Sequence, residues 1–136
     1  MYTTDNENNL ENLVHSMNQN IQWRGPDGQR VVNLRKEKIA FGHVRLAVQD
    51  TSDYGTQPIT DRNGRYYLVF NGEIYNHLEL RNHFFKGEAF QSSSDTETLL
   101  NLLIKLGFKK TLPLLDGMFS ILFYDRKKHQ LSAARD

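Results

Sequence analysis

With 136 residues, 38% of them hydrophobic, the chain can fill one ordinary globular core and not two. Lys plus Arg number 17 against 16 for Asp plus Glu, both signs interspersed, so no bulk field draws nucleic acid or an acidic membrane face, and apolar runs such as Ile121-Leu122-Phe123 fall far short of the roughly 20 residues of a membrane helix. The cysteine count is zero, which removes disulfides, thiolate metal sites and a cysteine nucleophile from these residues.

The first twenty residues have no basic start followed by an apolar stretch, so they do not read as a secretory signal, and a cytoplasmic location is the expectation. Leu10, Leu13, Val14 and Met17 recur at i, i+3, i+4 and i+7, which predicts a helix with one apolar stripe, capped by Asn8 or Asn9. Arg24-Gly25-Pro26-Asp27-Gly28 is a loop, and two strands are expected over 30–35 and 38–48. From 49 to 58 the composition shifts to Asp, Thr, Ser, Gly and Pro, the signature of a surface loop. The stretches 66–70 and 118–124 are apolar at nearly every position, which predicts strands covered on both faces and therefore a layered sandwich. Between them two helices are expected, over 76–85 and 95–106, each preceded or opened by a capping-box spacing (Asn76 with Glu79, Ser94 with Glu97). A polar turn at 125–129 then leads into a short strand at 130–134. Helices grouped between strands, instead of alternating with them, argue against a doubly wound parallel sheet.

Several constellations invite a chemical reading, and each has a plainer one. Histidines 15, 43, 77, 83 and 129 show no metal-ligand spacing. Arg126-Lys127-Lys128 reads as a solvated turn, and Arg24 to Gly28 lacks the pattern of a phosphate loop. Asn71-Gly72 after an apolar strand is the strongest short hairpin signal, yet too few residues follow to return a strand before Asn76. The alternative is a side-chain amide and a free glycine N–H converging on an oxygen that becomes negative during acyl transfer. Asp95 at a helix start is stabilised by the helix dipole whether or not it has a further task. Arg45 lies in an otherwise apolar strand and needs a negative partner, supplied by the protein or by a ligand.

Taken together, RGPDG (24–28), GHVRLAVQD (42–50), QP (57–58), LVFNGEIYNHLELR (68–81), SSDTETLL (93–100), LDGMFSILFYD (115–125) and LSAARD (131–136) resemble the glutaminase domain of glutamine-hydrolysing asparagine synthetases, a class II glutamine amidotransferase domain. The resemblance spans nearly the whole chain in order. It implies an α+β fold, the four-layer α-β-β-α sandwich of antiparallel sheets of the N-terminal nucleophile hydrolases, here truncated at both ends. It implies one partial domain over residues 1–136, with glutamine as substrate and a C-terminal synthetase domain as partner, and with neither nucleic acid nor membrane involved. No cofactor is implied in this domain; ATP and magnesium would act in the synthetase domain, where aspartate is activated. Carried over residue by residue, Arg45 would clamp the glutamine α-carboxylate, Asp95 would hold its α-amino group, Asn71 and the Gly72 N–H would form the oxyanion hole, and Glu73 would line the pocket.

The sequence departs from the family in three places. Tyr2 stands where the family has its nucleophilic cysteine, whose own amino group serves as base. Trp23 replaces the histidine that usually precedes Arg-Gly-Pro-Asp. The interval before Arg24 is short by about six residues, roughly one strand, and the last strands of the domain and the synthetase domain do not follow. These departures lead to the expectation of a fragment or misassigned start, inactive as written, with Thr3 or Thr4 as weak substitutes for the nucleophile. The competing readings are a degenerate, non-catalytic domain kept as a scaffold or glutamine-binding module, and an amidotransferase serving sugar or peptide modification.

Overall fold

A computed structural model describes residues 6–46 and 56–136. The expected positions Met1 to Thr4, and the loop and strand-end residues 47–55, lie outside the described residues. Helix α1 (Asn6–Asn20) leads through a single 3₁₀ turn to the hairpin β1 (Gly28–Leu34) and β2 (Ile39–Arg45), and a second group follows: β3 (Ile59–Thr60), β4 (Tyr66–Ile74), α2 (His77–Phe84), α3 (Asp95–Leu106), α4 (Phe108–Thr111), β5 (Gly117–Asp125) and β6 (Gln130–Arg135). Among the described residues the strands form two antiparallel sheets, β1-β2 and β3-β4-β5-β6. No helix among these residues is long and apolar enough to cross a membrane.

The layering follows from strand parity, because successive side chains leave a strand on opposite faces. In β4, Leu68, Phe70 and Ile74 face α2 and α3, where they join Leu99, Leu102, Leu103, Ile121 and Phe123 in one core. Tyr67 and Val69, one residue out of step, face the other way and meet Leu34, Phe41 and Tyr124 in a second, smaller core between the sheets, so the single core expected from the length is divided in two by the large sheet. The outer face of β1-β2 carries α1 so closely that a side chain at Gly42 would come within 2.5 Å of Val14 Cγ1. The order is therefore α1, small sheet, large sheet, α2-α3: the α-β-β-α sandwich of the N-terminal nucleophile hydrolases.

Several sequence expectations are corrected. Helix α1 begins at Asn6, so Asn8 and Asn9 lie inside it. Leu13 and Met17 are exposed, at 55% and 58%, and the buried position of that face is Asn18, whose Nδ2 donates to the carbonyls of Arg30 and His43. A polar residue is buried there because it ties the helix to both strands, a satisfied contact that hydrophobic periodicity does not detect. The strand expected over 66–70 continues to Ile74, with Asn71 paired to Ser120 and Gly72 to Phe119, so Asn71-Gly72 is not a hairpin turn. Asn76 makes no cap; its amide instead joins two chain segments, accepting from the Asp116 N–H and donating to the Leu114 carbonyl. Coverage of β5 on both faces is incomplete, since Met118 and Leu122 stay exposed.

Arg126 is likewise more than a solvated turn residue. It donates to Glu37, 89 residues away, with nitrogen–oxygen distances of 2.8 Å from Nε and 2.6 Å from Nη2. Glu37 is 8% exposed and sits in the 3₁₀ turn joining β1 to β2, so the pair pins the small sheet to the β5-β6 turn of the large one. Burial alone would raise the Glu37 carboxyl, but the Arg126 hydrogen bond and charge outweigh it and leave the group below its ordinary 4.5. A carboxylate lowered in the folded state contributes stability above its unfolded value, and that contribution disappears as pH falls through the folded value. Asp125, lowered chiefly by its hydrogen bond from Arg65, acts with the same sign. Stability is therefore expected to decline below about pH 4.5, and Glu37→Gln to flatten that acid limb. Thermal melts from pH 7 down to pH 3 check this; identical slopes for parent and variant would contradict it.

Candidate functional site

The ends of β2 and β4 and the start of α3 enclose a cleft of about 560 Å³. All five residues singled out in the sequence line it: Arg45, Asn71, Gly72, Glu73 and Asp95. They come from three separate elements, and the fold brings them together because antiparallel pairing of β4 with β5 sets Asn71 to Glu73 beside the end of β2 and the start of α3.

Asp95 is the first residue of α3 and is 7% exposed. Ser94 provides the cap, its hydroxyl accepting from the Glu97 N–H, which leaves the Asp95 carboxylate to turn toward β4. There Oδ2 accepts the Ile74 N–H at 2.9 Å, and Oδ1 accepts from the Thr96 hydroxyl. Arg45 closes β2 on the opposite wall, half-buried, with Nη1 donating to Thr56 Oγ1 at 3.3 Å. Between cation and acid runs the edge of β4.

That edge has a definite polarity. The bonds Arg126 N–H to Arg65 O and Tyr75 N–H to Asp116 O fix the odd-numbered residues of β4 as those bonded to β5. The even-numbered residues point their N–H groups the other way. Tyr66 donates to Asp61 Oδ1, Phe70 to Gln57 Oε1 and Ile74 to Asp95 Oδ2. The Gly72 N–H, between the last two, faces the cleft. Glycine is required here on two counts: its φ is +149°, and a side chain would lie 2.0 Å from the Met118 carbonyl oxygen.

Charge in the cleft is set by few groups. Burial, and then the Arg45 charge, hold His43 below its ordinary value, so its imidazole is neutral at pH 7. His77, at the start of α2, is also lowered by burial; Asp95 opposes this and Arg81 adds to it. Its Nδ1 is buried and has no hydrogen-bond partner among the described residues. Among the described residues no three His, Asp or Glu side chains are grouped as metal ligands.

Two residues important to this geometry were quoted in motifs without being given a task. Gln57, 6% exposed, holds the Phe70 N–H. Arg81 donates to the carbonyls of Ser92 and Ser94 and twice to the Thr98 hydroxyl, so it braces the segment that presents Asp95. The signals were there, an amide before proline and an arginine ending a motif, but both side chains act on backbone groups brought near only by folding. Trp23, in the place of the family histidine, is 76% exposed with the Arg24 guanidinium 5.4 Å above its ring.

The whole chain, residues 1–136, matches the family model described as a glutamine amidotransferase domain. It is 39% identical over 127 residues to asparagine synthetase [glutamine-hydrolyzing] 1 of Bacillus subtilis, covering 93% of this chain and 20% of that protein. Identity is also 39%, over 120 residues, to asparagine synthetase [glutamine-hydrolyzing] 1 of Saccharomyces cerevisiae, covering 88% of this chain and again 20% of the relative. The chain thus spans about a fifth of the length of these relatives. In structure it is similar to the glutamine phosphoribosylpyrophosphate amidotransferase of B. subtilis solved with ADP and GMP, with a TM-score of 0.66 and 26% identity, over 87% of this chain and 33% of that one.

Proposed function

Because the chain belongs to the glutamine amidotransferase domain family, we propose that its cleft binds free L-glutamine, as the glutaminase part of an asparagine synthetase. The observation that carries this reading is the meeting of Arg45 and Asp95 in one cleft on either side of a β4 edge that offers the Gly72 N–H. A guanidinium matches a carboxylate with two parallel hydrogen bonds, and a buried acid holding one backbone N–H keeps lone pairs for an ammonium group. The side chain of the bound amino acid then extends toward Asn71 and Gly72, where an amide oxygen is received by two donors and is favoured further as it acquires negative charge. Glu73 shapes the same wall. Ammonia released there would pass to a synthetase domain that activates aspartate with ATP and magnesium.

Hydrolysis needs a nucleophile, and these 136 residues contain no cysteine. The chain as written is accordingly expected to bind without hydrolysing. Titration calorimetry of the 136-residue chain with L-glutamine tests this. Arg45→Ala and Asp95→Asn are each expected to weaken binding at least about tenfold, the scale of a charge-assisted hydrogen bond, and no ammonia should form. Asparagine at 95 keeps an acceptor for the Ile74 N–H, so the loss reports the charge. Unchanged affinity in both variants would refute the assignment. The zero cysteine count also supports a second reading, a non-catalytic glutamine-binding module. Ammonia release by the full gene product favours the glutaminase; binding without release favours the module.

A further inference from the structure

The open edge of β4 is closed at two points by side chains, and the pattern selects one donor. Beyond Leu68, where β3 ends its pairing, no strand runs alongside β4 among the described residues, so the outward N–H groups of Phe70, Gly72 and Ile74 would all be available. Gln57 Oε1 takes the first and Asp95 Oδ2 the third. Both acceptors belong to residues more than nine-tenths buried, and both residues line the cleft. The segment bearing Gln57 is itself attached to the opposite wall, through the Thr56 hydroxyl that receives Arg45 Nη1.

From this geometry we infer that Gln57 is a positioning residue for the site: by occupying the Phe70 N–H while Asp95 occupies that of Ile74, it fixes the strand edge on both sides of Gly72 and leaves the Gly72 N–H, among the described residues, as the one donor of that edge offered to a ligand oxygen. The inference deepens the glutamine reading and rests on it for the identity of that oxygen. Gln57 thereby links the two charge-bearing walls. Its loss would free a second donor, Phe70 N–H, two residues from the intended one, and would release the 56–57 segment from β4. A carboxamide suits the task, because it accepts from the strand without bringing a negative charge near the place where a carboxylate binds.

The test uses the full 136-residue chain, ¹⁵N-labelled, with Gln57→Leu and Gln57→Glu. Leucine removes the acceptor; glutamate keeps it and adds charge. In the free protein, Gln57→Leu is expected to speed exchange of the Phe70 amide by at least about tenfold, the worth of one ordinary hydrogen bond, and to shift the Gly72 amide resonance, whereas Gln57→Glu leaves Phe70 protected. On adding L-glutamine, the Gly72 amide proton is expected to move downfield in the parent. In Gln57→Leu that response should shrink and affinity fall about tenfold, with melting and far-UV circular dichroism showing a folded chain. Should Gln57→Leu prove unfolded, Gln57→Asn serves instead, since its amide stops short of Phe70.

If a folded Gln57→Leu chain keeps the parent's Phe70 protection and Gly72 shift, the positioning role is overturned, whatever glutamine does. If the free-chain effects appear but L-glutamine moves no resonance in the parent, the positioning of Gly72 stands and the glutamine assignment fails. If the parent responds to glutamine, Arg45→Ala abolishes the response and Gln57→Leu matches the parent, the assignment stands and the role of Gln57 falls.

Discussion

Replacing Gly72 with alanine is expected to lower stability by about 3 kcal/mol and the melting temperature by about 10 °C, and to remove ligand binding in the cleft. A Cβ there would lie 2.0 Å from the Met118 carbonyl oxygen and 2.7 Å from Phe119 Cα. These are backbone atoms of the partner strand and cannot swing aside as a flexible side-chain end would. Gly117, across the same pair of strands, is equally confined, with Glu73 O at 2.0 Å, so neither strand can retreat without moving the other. The φ of +149° adds strain for any L side chain. Separating β4 from β5 to admit the methyl group would swing the Gly72 N–H and displace Asn71 and Glu73, whose positions depend on the same register. Gly28→Ala is the control, as nothing lies within 4 Å of its new Cβ; its melting point should stay within a few degrees of the parent's. An unchanged melting curve for Gly72→Ala would mean that the strands are not held this closely.

The contrast between what was legible and what was not follows from the range of the forces involved. The sandwich was readable because Tyr66 to Phe70 carries apolar side chains at both parities, which burial on two faces explains; in Phe119 to Phe123 the same pattern overstated the coverage, since Leu122 stays exposed. Asp95 to Leu106 was readable because Ser94 and Glu97 stand at a capping-box spacing, a purely local signal. Asn71-Gly72 was open between a turn and a donor pair because the dipeptide's conformational freedom serves both; the strand pairing to Ser120 and Phe119, 49 and 47 residues away, decides it. Asn18, Gln57 and Arg126 escaped for a related reason. Each is polar and partners a group at least a dozen residues off. Local patterning therefore had no means of separating them from solvated neighbours. Motif resemblance singled out Arg45, Asn71, Gly72, Glu73 and Asp95, and the fold puts these five around one cleft. Resemblance alone did not indicate how they are held.

Arg81→Met is expected to weaken glutamine binding by more than tenfold while costing about 3 kcal/mol of stability, the loss of binding arising at a site the side chain does not touch. The guanidinium lies 3.8 Å from the Phe90 ring centroid and serves three acceptors: Ser92 O at 2.9 Å, Ser94 O at 2.8 Å and the Thr98 hydroxyl at 2.7 Å and 2.9 Å. Those acceptors lie on both sides of Asp95. Ser94 is its cap and Thr98 lies one turn on, so the arginine holds the first turn of α3 at the angle that aims the Asp95 carboxylate at Ile74. Methionine keeps much of the volume and removes every donor: the Ser92 carbonyl loses its guanidinium partner, and Ser94 O and Thr98 Oγ1 are left with the 3.4 Å bond between them, a total penalty of about 1–3 kcal/mol. Burial lowers the Arg81 pKa, yet a guanidinium stays charged at any working pH, so the effect should be independent of pH between 6 and 9. Arg81→Lys keeps the charge but offers donors from one point, which cannot reach acceptors arranged around a planar fork. It should recover part of the stability through the charge and little of the affinity. That split separates positioning from mere support: if lysine restores stability and binding in equal measure, Arg81 only stabilises the fold, whereas a chain that melts near the parent temperature and still binds poorly places its role in the orientation of Asp95.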